Sequence, residues 1–428
     1  MTLIDRDRAA VWHPYTQMKT APAPLPIVRG QGVYLYTEDG RKLLDGISSW
    51  WVNIHGHAHP RLNQALADQA KRIEHVIFAG ATHEPAVELA ERLVGVLPAG
   101  LTRVFYSDNG STAVEVALKL ALQYWQNCGR PERQRIVALK HAYHGDTVGT
   151  MSVSDESVFT APFASMLFPV DRIEPSAIDA HLIEHGDRVA AVIVEPMLQG
   201  AGGMIMWPAA DLARVRAACY RAGVLMIADE VLTGFGRTGR MFACEHAAVT
   251  PDIICLSKAL TAGYMPMAVT AATNAIYEAF LSDDRTKTFF HGHSFTANPL
   301  ACAVALASLD LIEETRALER VQRLERQMRS GLAPLASSPH VADVRVLGDV
   351  GVVELKSDGG YLANVGPWLY RTFLDRGILL RPLGNVLYFM PPYVITDAEV
   401  AWVIEQISEV VSSVFSRPLD VVNHDDID

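Results

Sequence analysis

From about residue 60 to about residue 310, strands that are apolar from end to end alternate with helices that are apolar on one face only. The runs "RVFYSD", "RIVALK", "VAAVIVEP", "GVLMIADEV", "PDIICLS" and "AVTAAT" read as strands. The runs "STAVEVALKLALQYWQ" and "PAADLARVRAACYRAG" place apolar residues three and four apart and read as helices. A strand with no polar face must be covered on both sides, and an intervening helix both covers it and returns the chain for the next parallel strand. The alternation therefore predicts an α/β chain built on a mainly parallel sheet. Ahead of it, "VYLYTEDGRKLLDG" alternates around an Asp-Gly turn and predicts a hairpin, and "KTAPAPLPIVRG" (19–30) an extended proline-rich connection. After about residue 315 a charged helix over 319–336, "VADVRVLGDVGVVEL", more helix and "GILLRPLGNVLYFMPPY" predict a smaller α+β domain.

Composition narrows the class. Half of the 428 residues are hydrophobic, enough for a large core, yet no apolar run is long enough to cross a bilayer. The start, "MTLIDRDRAAVWHPYT", carries early acids and no apolar stretch, so no secretory signal is expected. Cys128, Cys219, Cys244, Cys255 and Cys302 lack CxxC spacing, which suits a reduced cytoplasm better than a disulfide framework. The formal charge of −11 is spread along the chain without a Lys/Arg tract, so neither nucleic acid nor a membrane is an expected partner.

Ligands of such sheets bind where the strands end, and four groups of polar residues fall there. In "YSDNGSTAVEVALKLA", Gly110 and Ser111 open a helix whose unpaired amides suit a phosphate, although Ser111 could equally be a plain N-cap. In "LMIADEVLTGFGRTG", Asp229 closes an apolar strand and needs a partner: a metal, a hydrogen-bond donor or a protonated ring nitrogen. The spacing of "GFGRTG" matches a dinucleotide-binding loop. However, an Asp-Glu pair intervenes after the strand, no clear helix follows, and the position for the acid holds Lys258. The histidines of "HGHAHP" and "HGHS" could begin a metallohydrolase site, but the strand ends offer mostly single acids, so no metal is expected. Finally, "CLSKALTAG" places Lys258 in an otherwise apolar or small run, where a desolvated amine becomes a nucleophile toward carbonyls. An aldehyde cofactor with a phosphate arm and a pyridine nitrogen uses all of these groups at once. Lys258 would form a Schiff base, Asp229 would hold the ring nitrogen, Gly110 and Ser111 the phosphate, and Tyr143 of "HAYHGDT" would stack on the ring.

In the order "DNGSTAVEVALK", "YHGDT", "VEPMLQGAGG", "ADEVLTGFGRTG", "SKALTAG" and "HGHSFTANPLACA", the chain resembles the class III, pyridoxal-phosphate-dependent aminotransferases over nearly its whole length. Within that class, "WHPYTQM", "DGISSWWVNIHGHAHP" and "RPLGNVLYFMPPY" are similar to members that convert 7-keto-8-aminopelargonic acid to 7,8-diaminopelargonic acid in biotin biosynthesis, usually with S-adenosylmethionine as amino donor. The resemblance implies fold type I: a large cofactor-binding domain with a seven-stranded sheet over 51–315, and a smaller α+β domain over 316–428. Segment 1–50 then serves the small domain and the active site.

It implies pyridoxal 5'-phosphate as cofactor and a homodimer with active sites at the subunit interface. Lys258 and Asp229 are catalytic, together with Tyr15. His293 and Ser294 reach the phosphate from the other subunit. Tyr15, Trp50 and Tyr143 line the substrate pocket, with Gly292 at its edge. Arg381 holds the keto acid carboxylate, and Arg237 and Asp146 meet the charged end of the donor. Trp50 and Trp51, read as neighbours on a strand, point to opposite faces, so one of them faces a cavity. Two positions depart from the pattern: His293-Ser294 stand where many such enzymes have Pro-Thr, and Leu232 where many class members carry glutamine. The first leaves lysine open as the donor, and other ω-amine or ornithine-type aminotransferases remain the nearest rivals.

Overall fold

The computed structural model describes residues 1–357 and 360–413. Near the start, β2 (Tyr34–Thr37) pairs antiparallel with β3 (Lys42–Asp45), as the Asp39-Gly40 turn predicts. A third strand, β1 (Ile27–Gln31), adds to β2, so the proline-rich connection gives way to strand at its end, once the prolines stop.

The central sheet holds β4 (Leu101–Ser107), β5 (Arg135–Leu139), β6 (Asp171–Ile173), β7 (Val189–Val194), β10 (Leu225–Asp229), β11 (Ile253–Leu256) and β12 (Ala268–Thr273). A small hairpin, β8 (Leu198–Gln199) with β9 (Ile205–Met206), follows β7. The sheet order is β4-β12-β11-β10-β7-β5-β6. All six expected strands are present; β6 escaped notice because three half-buried residues carry no period. Every residue of β7 and β11 is buried, which is why those runs contain nothing polar. Only β12 runs antiparallel to its neighbours, because the chain doubles straight back after β11 without a crossover helix. The helix Gly110–Asn127 covers one face with a stripe that includes Val114, Ala117 and Ala121.

A second sheet is antiparallel: β13 (Val341–Leu347), β14 (Val350–Leu355) and β16 (Val386–Phe389). The short β15 (Ile378–Leu379) leaves it to pair parallel with β3. One hydrophobic cluster therefore joins Val33, Leu44 and Ile47 to Leu324, Phe373, Phe389 and Ile404. The charged helix spans Ala317–Leu332 and tightens to a 3-10 turn at Ala333–Ser337, where Pro334 cannot donate an α-helical bond. All five cysteines are free, and no helix among the described residues is long and apolar enough to cross a membrane.

Trp50 and Trp51 are not on a strand. Ser48, Ser49, Trp50 and Trp51 all have positive φ, of 48°, 44°, 72° and 73°. They form one left-handed turn, which L-residues resist by about 1–2 kcal/mol each. Asp45 holds it by accepting from the backbone of Ile47 and Ser49 and from the Ser49 hydroxyl, while His57 Nε2 lies 2.9 Å from its second oxygen.

Candidate active site

The ends of β4, β10 and β11 open into a cavity of about 510 Å³ lined by Lys258, Asp229, Tyr143, Tyr15, both tryptophans and Arg381. Lys258 lies two residues beyond β11, at a φ of 44°, opening a 3-10 turn. Its ammonium is 4.6 Å from the centre of the Trp51 ring. Burial lowers its pKa to about 8, although Asp229 and Glu195 pull the other way. The Lys258 side chain thus faces the cavity.

Asp229, the last residue of β10, is buried. Its Oδ2 lies 2.7 Å from Nδ1 of His144, and its Oδ1 accepts from the backbone N–H of Val231. The imidazole is itself buried, and its Nε2 has no partner among the described residues. Glu195, directly after β7, was missed in the sequence. It accepts from the backbone N–H groups of Tyr143 and Gly200, both at 2.9 Å, and burial raises its pKa to about 7. The sign was available: "VEP", like "ADE", sets an acid directly after an all-apolar strand.

At the helix start, Asn109 is the N-cap and accepts from Thr112 N–H at 3.0 Å. The Ser111 hydroxyl is therefore not used as a cap; it accepts from the backbone N–H of Asp146 at 3.2 Å. A Cβ on Gly110 would come within 2.6 Å of Val231, and one on Gly145 within 2.0 Å of Ser111 Oγ. Only glycine leaves this cradle clear.

Tyr15 and Tyr143 place their hydroxyls 3.0 Å apart, and Tyr15 donates to the carboxylate of Asp146. Burial, then the Asp146 bond, raises the Tyr15 pKa to about 12, so the phenol stays protonated. The guanidinium of Arg381 lies 4.4 Å from the centre of the Trp50 ring, and no carboxylate among the described residues pairs with it.

One placement differs from expectation. Arg237 is fully buried outside the cavity, paired with Asp349 in the β13–β14 turn. Its guanidinium donates to the carbonyl of Trp51 at 2.9 Å and to Ser48 Oγ at 3.3 Å, so it fastens the left-handed turn instead of meeting a donor. Asp146 lies beside the main cavity, in an adjoining chamber. Gly292, His293 and Ser294 lie on a surface loop outside the cavity of their own chain, where His293 approaches Asp108 at 3.8 Å. Leu232 packs buried against Trp51, near the position Cβ of Gly200 would take. His55 bonds Ser308 and His57 bonds Asp45, and among the described residues no three His, Cys, Asp or Glu side chains converge as metal ligands.

The profile of the family "Aminotransferase class-III" matches residues 15–411, and the chain belongs to that family. It is 50% identical over 422 residues to the adenosylmethionine-8-amino-7-oxononanoate aminotransferase of Synechococcus elongatus, covering 94% of this chain and 99% of that protein. It is 43% identical over 443 residues to the enzyme of the same name from Geobacter sulfurreducens, covering 96% and 98%. The crystal structure of the Methanocaldococcus jannaschii enzyme of that name superposes with a TM-score of 0.93 at 37% identity, covering 96% of this chain and 98% of that one. An omega transaminase from Pseudomonas jessenii in complex with PMP superposes with a TM-score of 0.92 at 27% identity, covering 97% and 99%.

The chain is therefore an aminotransferase that uses pyridoxal 5'-phosphate, and its residues fit that group. A buried carboxylate backed by a buried imidazole suits a protonated ring nitrogen. A glycine-cleared helix start suits a phosphate, and a lysine with a lowered pKa suits an aldehyde.

Proposed function

We propose that this enzyme transfers an amino group from S-adenosylmethionine to 7-keto-8-aminopelargonic acid, giving 7,8-diaminopelargonic acid for biotin. The observation that carries the acceptor is Arg381. A guanidinium stacked on Trp50, without a carboxylate partner among the described residues, suits the remote carboxylate of a long keto acid in a cavity otherwise walled by rings. The relatives from Synechococcus and Geobacter, both adenosylmethionine-8-amino-7-oxononanoate aminotransferases, support both substrates.

Pyridoxal phosphate, when bound, supplies an aldehyde that exchanges amines and a ring that accepts negative charge from carbon. Lys258 would anchor it covalently, Asp229 would pair with its ring nitrogen, Gly110 and Ser111 would cradle its phosphate, and Tyr143 would lie beside its ring. The His144 N–H donated to Asp229 keeps that carboxylate aimed into the cavity. Glu195 fixes the backbone of Tyr143. The neutral Nζ of Lys258 would take the proton from the donor carbon that bears nitrogen. In the second half-reaction it delivers a proton to the former keto carbon. Tyr15, Trp50 and Trp51 wall the site against water. The two halves share one cavity, which gives ping-pong kinetics. The enzyme works as a cytoplasmic homodimer, in which the partner's loop brings His293 and Ser294 to the phosphate and Gly292 to the edge of the substrate pocket.

The test mixes holoenzyme separately with S-adenosylmethionine, lysine and ornithine and follows the visible absorbance of the bound cofactor. S-adenosylmethionine should bleach it fastest; faster bleaching by lysine overturns the donor. Lys258→Ala should abolish turnover. Arg381→Ala should raise the KM for the keto acid by about ten- to a hundredfold, the worth of a charge-assisted pair. An unchanged KM would point to a different ω-amine aminotransferase.

A further inference from the structure

Four aromatic side chains from four separate segments follow one another around the main cavity, and all of them line it. Trp50 meets Tyr15 at 5.4 Å between ring centres, Tyr15 meets Phe159 at 5.8 Å, and Phe159 meets Tyr361 at 4.7 Å, each edge to face. We propose that these rings form a collar that admits an unbranched chain to Lys258 and turns away bulkier groups, with Phe159 and Tyr361 as its specificity-determining residues. That the chain belongs to the keto acid rests on the acceptor reading above; the collar itself does not.

The arc closes on itself. Beyond Tyr361 the backbone takes over: a Cβ on Gly384 would come within 1.8 Å of the Gly360 carbonyl oxygen, so the two turns touch where only glycine fits. Gly384 has a φ of 60° and follows shortly after Arg381, whose guanidinium stacks on Trp50 and so returns to the first ring. The two new members are fixed by their own segments. Tyr361 sits in the 3-10 turn Gly360–Leu362, tied down by the Ala363 N–H donating to the Gly360 carbonyl at 3.0 Å and by the buried Ala363 and Val365. The Phe159 N–H donates to Ser157 Oγ at 3.2 Å, and the Ser157 N–H donates to Thr160 Oγ1 at 3.0 Å.

Position and spacing decide what such a collar does. Trp50 is 37% exposed and Tyr15 42%, whereas Asp229 behind them is 5% exposed, so the rings stand at the mouth and not on the floor. Rings at these separations touch, which leaves no gap between neighbours for a chain. A group approaching Lys258 therefore passes through the loop that the rings enclose. An aromatic side chain turns about two torsions only, so the opening keeps its width. A run of methylenes slips through and buries itself against the rings, and Arg381 meets its carboxylate at the rim. A substituent as wide as tert-butyl has to push a ring aside and break its edge-to-face contacts. The keto acid is narrow in this sense, since methylenes alone separate its carboxylate from its ketone.

The test measures access. Methylhydrazine and tert-butylhydrazine both condense with the aldehyde of pyridoxal phosphate without enzymatic help, and stopped-flow absorbance follows the reaction in holoenzyme. The ratio of their rates on holoenzyme, divided by the same ratio on free pyridoxal phosphate, isolates the collar. Wild type should disfavour tert-butylhydrazine at least about tenfold by this measure. Phe159→Ala/Tyr361→Ala should recover to within about threefold of the free cofactor, and Tyr361→Phe, which keeps the ring, should match wild type. Tyr361→Ala alone serves if the double variant misfolds, with the same direction expected. No discrimination by wild type, or undiminished discrimination in the folded variants, overturns the collar. In turnover the KM for the keto acid should rise at least about threefold in Tyr361→Ala and less than about twofold in Tyr361→Phe. An unchanged KM in Tyr361→Ala would take this ring off the acceptor's path and overturn its role in specificity. If the hydrazines are discriminated but Arg381→Ala leaves the KM for the keto acid unchanged, the acceptor reading falls and the collar stands.

Discussion

An amine attacks an aldehyde only after losing its proton, so with Lys258 as the proposed anchor the environment of one nitrogen sets how readily cofactor is loaded. Burial lowers the Lys258 pKa from 10.5 to about 8. Reconstitution of cofactor-free protein should accelerate as pH rises through about 8 and then level off, as stopped-flow absorbance can show. The same shift has a sign for stability. The folded state binds this proton less tightly than the unfolded chain does. The contribution of Lys258 is therefore unfavourable below the folded value, and relief comes as pH rises from about 8 toward 10.5. Cofactor-free Lys258→Met should accordingly melt above wild type at pH 7, with the gap closing toward pH 10. Gly145→Ala tests the cradle: its Cβ would strike Ser111 Oγ from a φ of +129°, and cofactor affinity should drop at least about tenfold by equilibrium dialysis. Lys258, Asp229, Gly110 and Ser111 were legible because each breaks a local pattern, a charge or a turn at the end of an apolar strand. Arg237 was not: its role depends on Asp349, 112 residues away, and nothing in "GFGRTG" reports a buried partner.

The element that shapes the pocket wall is the left-handed turn Ser48–Trp51, whose conformation no local preference favours. It persists because long-range bonds overdetermine it. Asp45 and His57 grip one side; Arg237, itself paired with Asp349, grips the other, and Ser48 Oγ donates to the carbonyl of Met390 at 2.8 Å. Reading Trp50 and Trp51 as strand failed for this reason, since β-propensity is right for tryptophan and silent about tertiary bonds. Burial raises the Asp349 pKa to about 6, so it remains a carboxylate at neutral pH against the guanidinium. Asp349→Ala should strand a buried cation and cost about 3–5 kcal/mol, measured as a lower denaturant midpoint. By contrast, the six main strands of the central sheet were legible because cover on both faces leaves their middles mostly apolar, and β7 and β11 apolar and buried throughout.

At the scale of the molecule, the proposed dimer makes a prediction that one chain cannot. Ser294→Asp, which sets a carboxylate against the partner's phosphate site, and Lys258→Ala should each inactivate the homodimer. Mixing the two after dissociation should restore activity, because one site in each hybrid draws both intact residues, one from either chain. No recovery in demonstrated heterodimers would place Ser294 outside the partner's site. The chain itself closes late. The ring-bearing walls Tyr15, Trp50 and Trp51 belong to the first fifty-one residues, yet β3 waits for Ile378 and Leu379, and Leu44 for Phe373 and Phe389. On the ribosome the seven-stranded sheet can assemble once β12 has emerged, while the opening hairpin remains without its partners for about another hundred residues, many seconds at ordinary elongation rates. A nascent chain can therefore own a finished lysine and aspartate long before it owns a pocket. Occupancy by a holding chaperone during that interval should map to the amino-terminal hairpin.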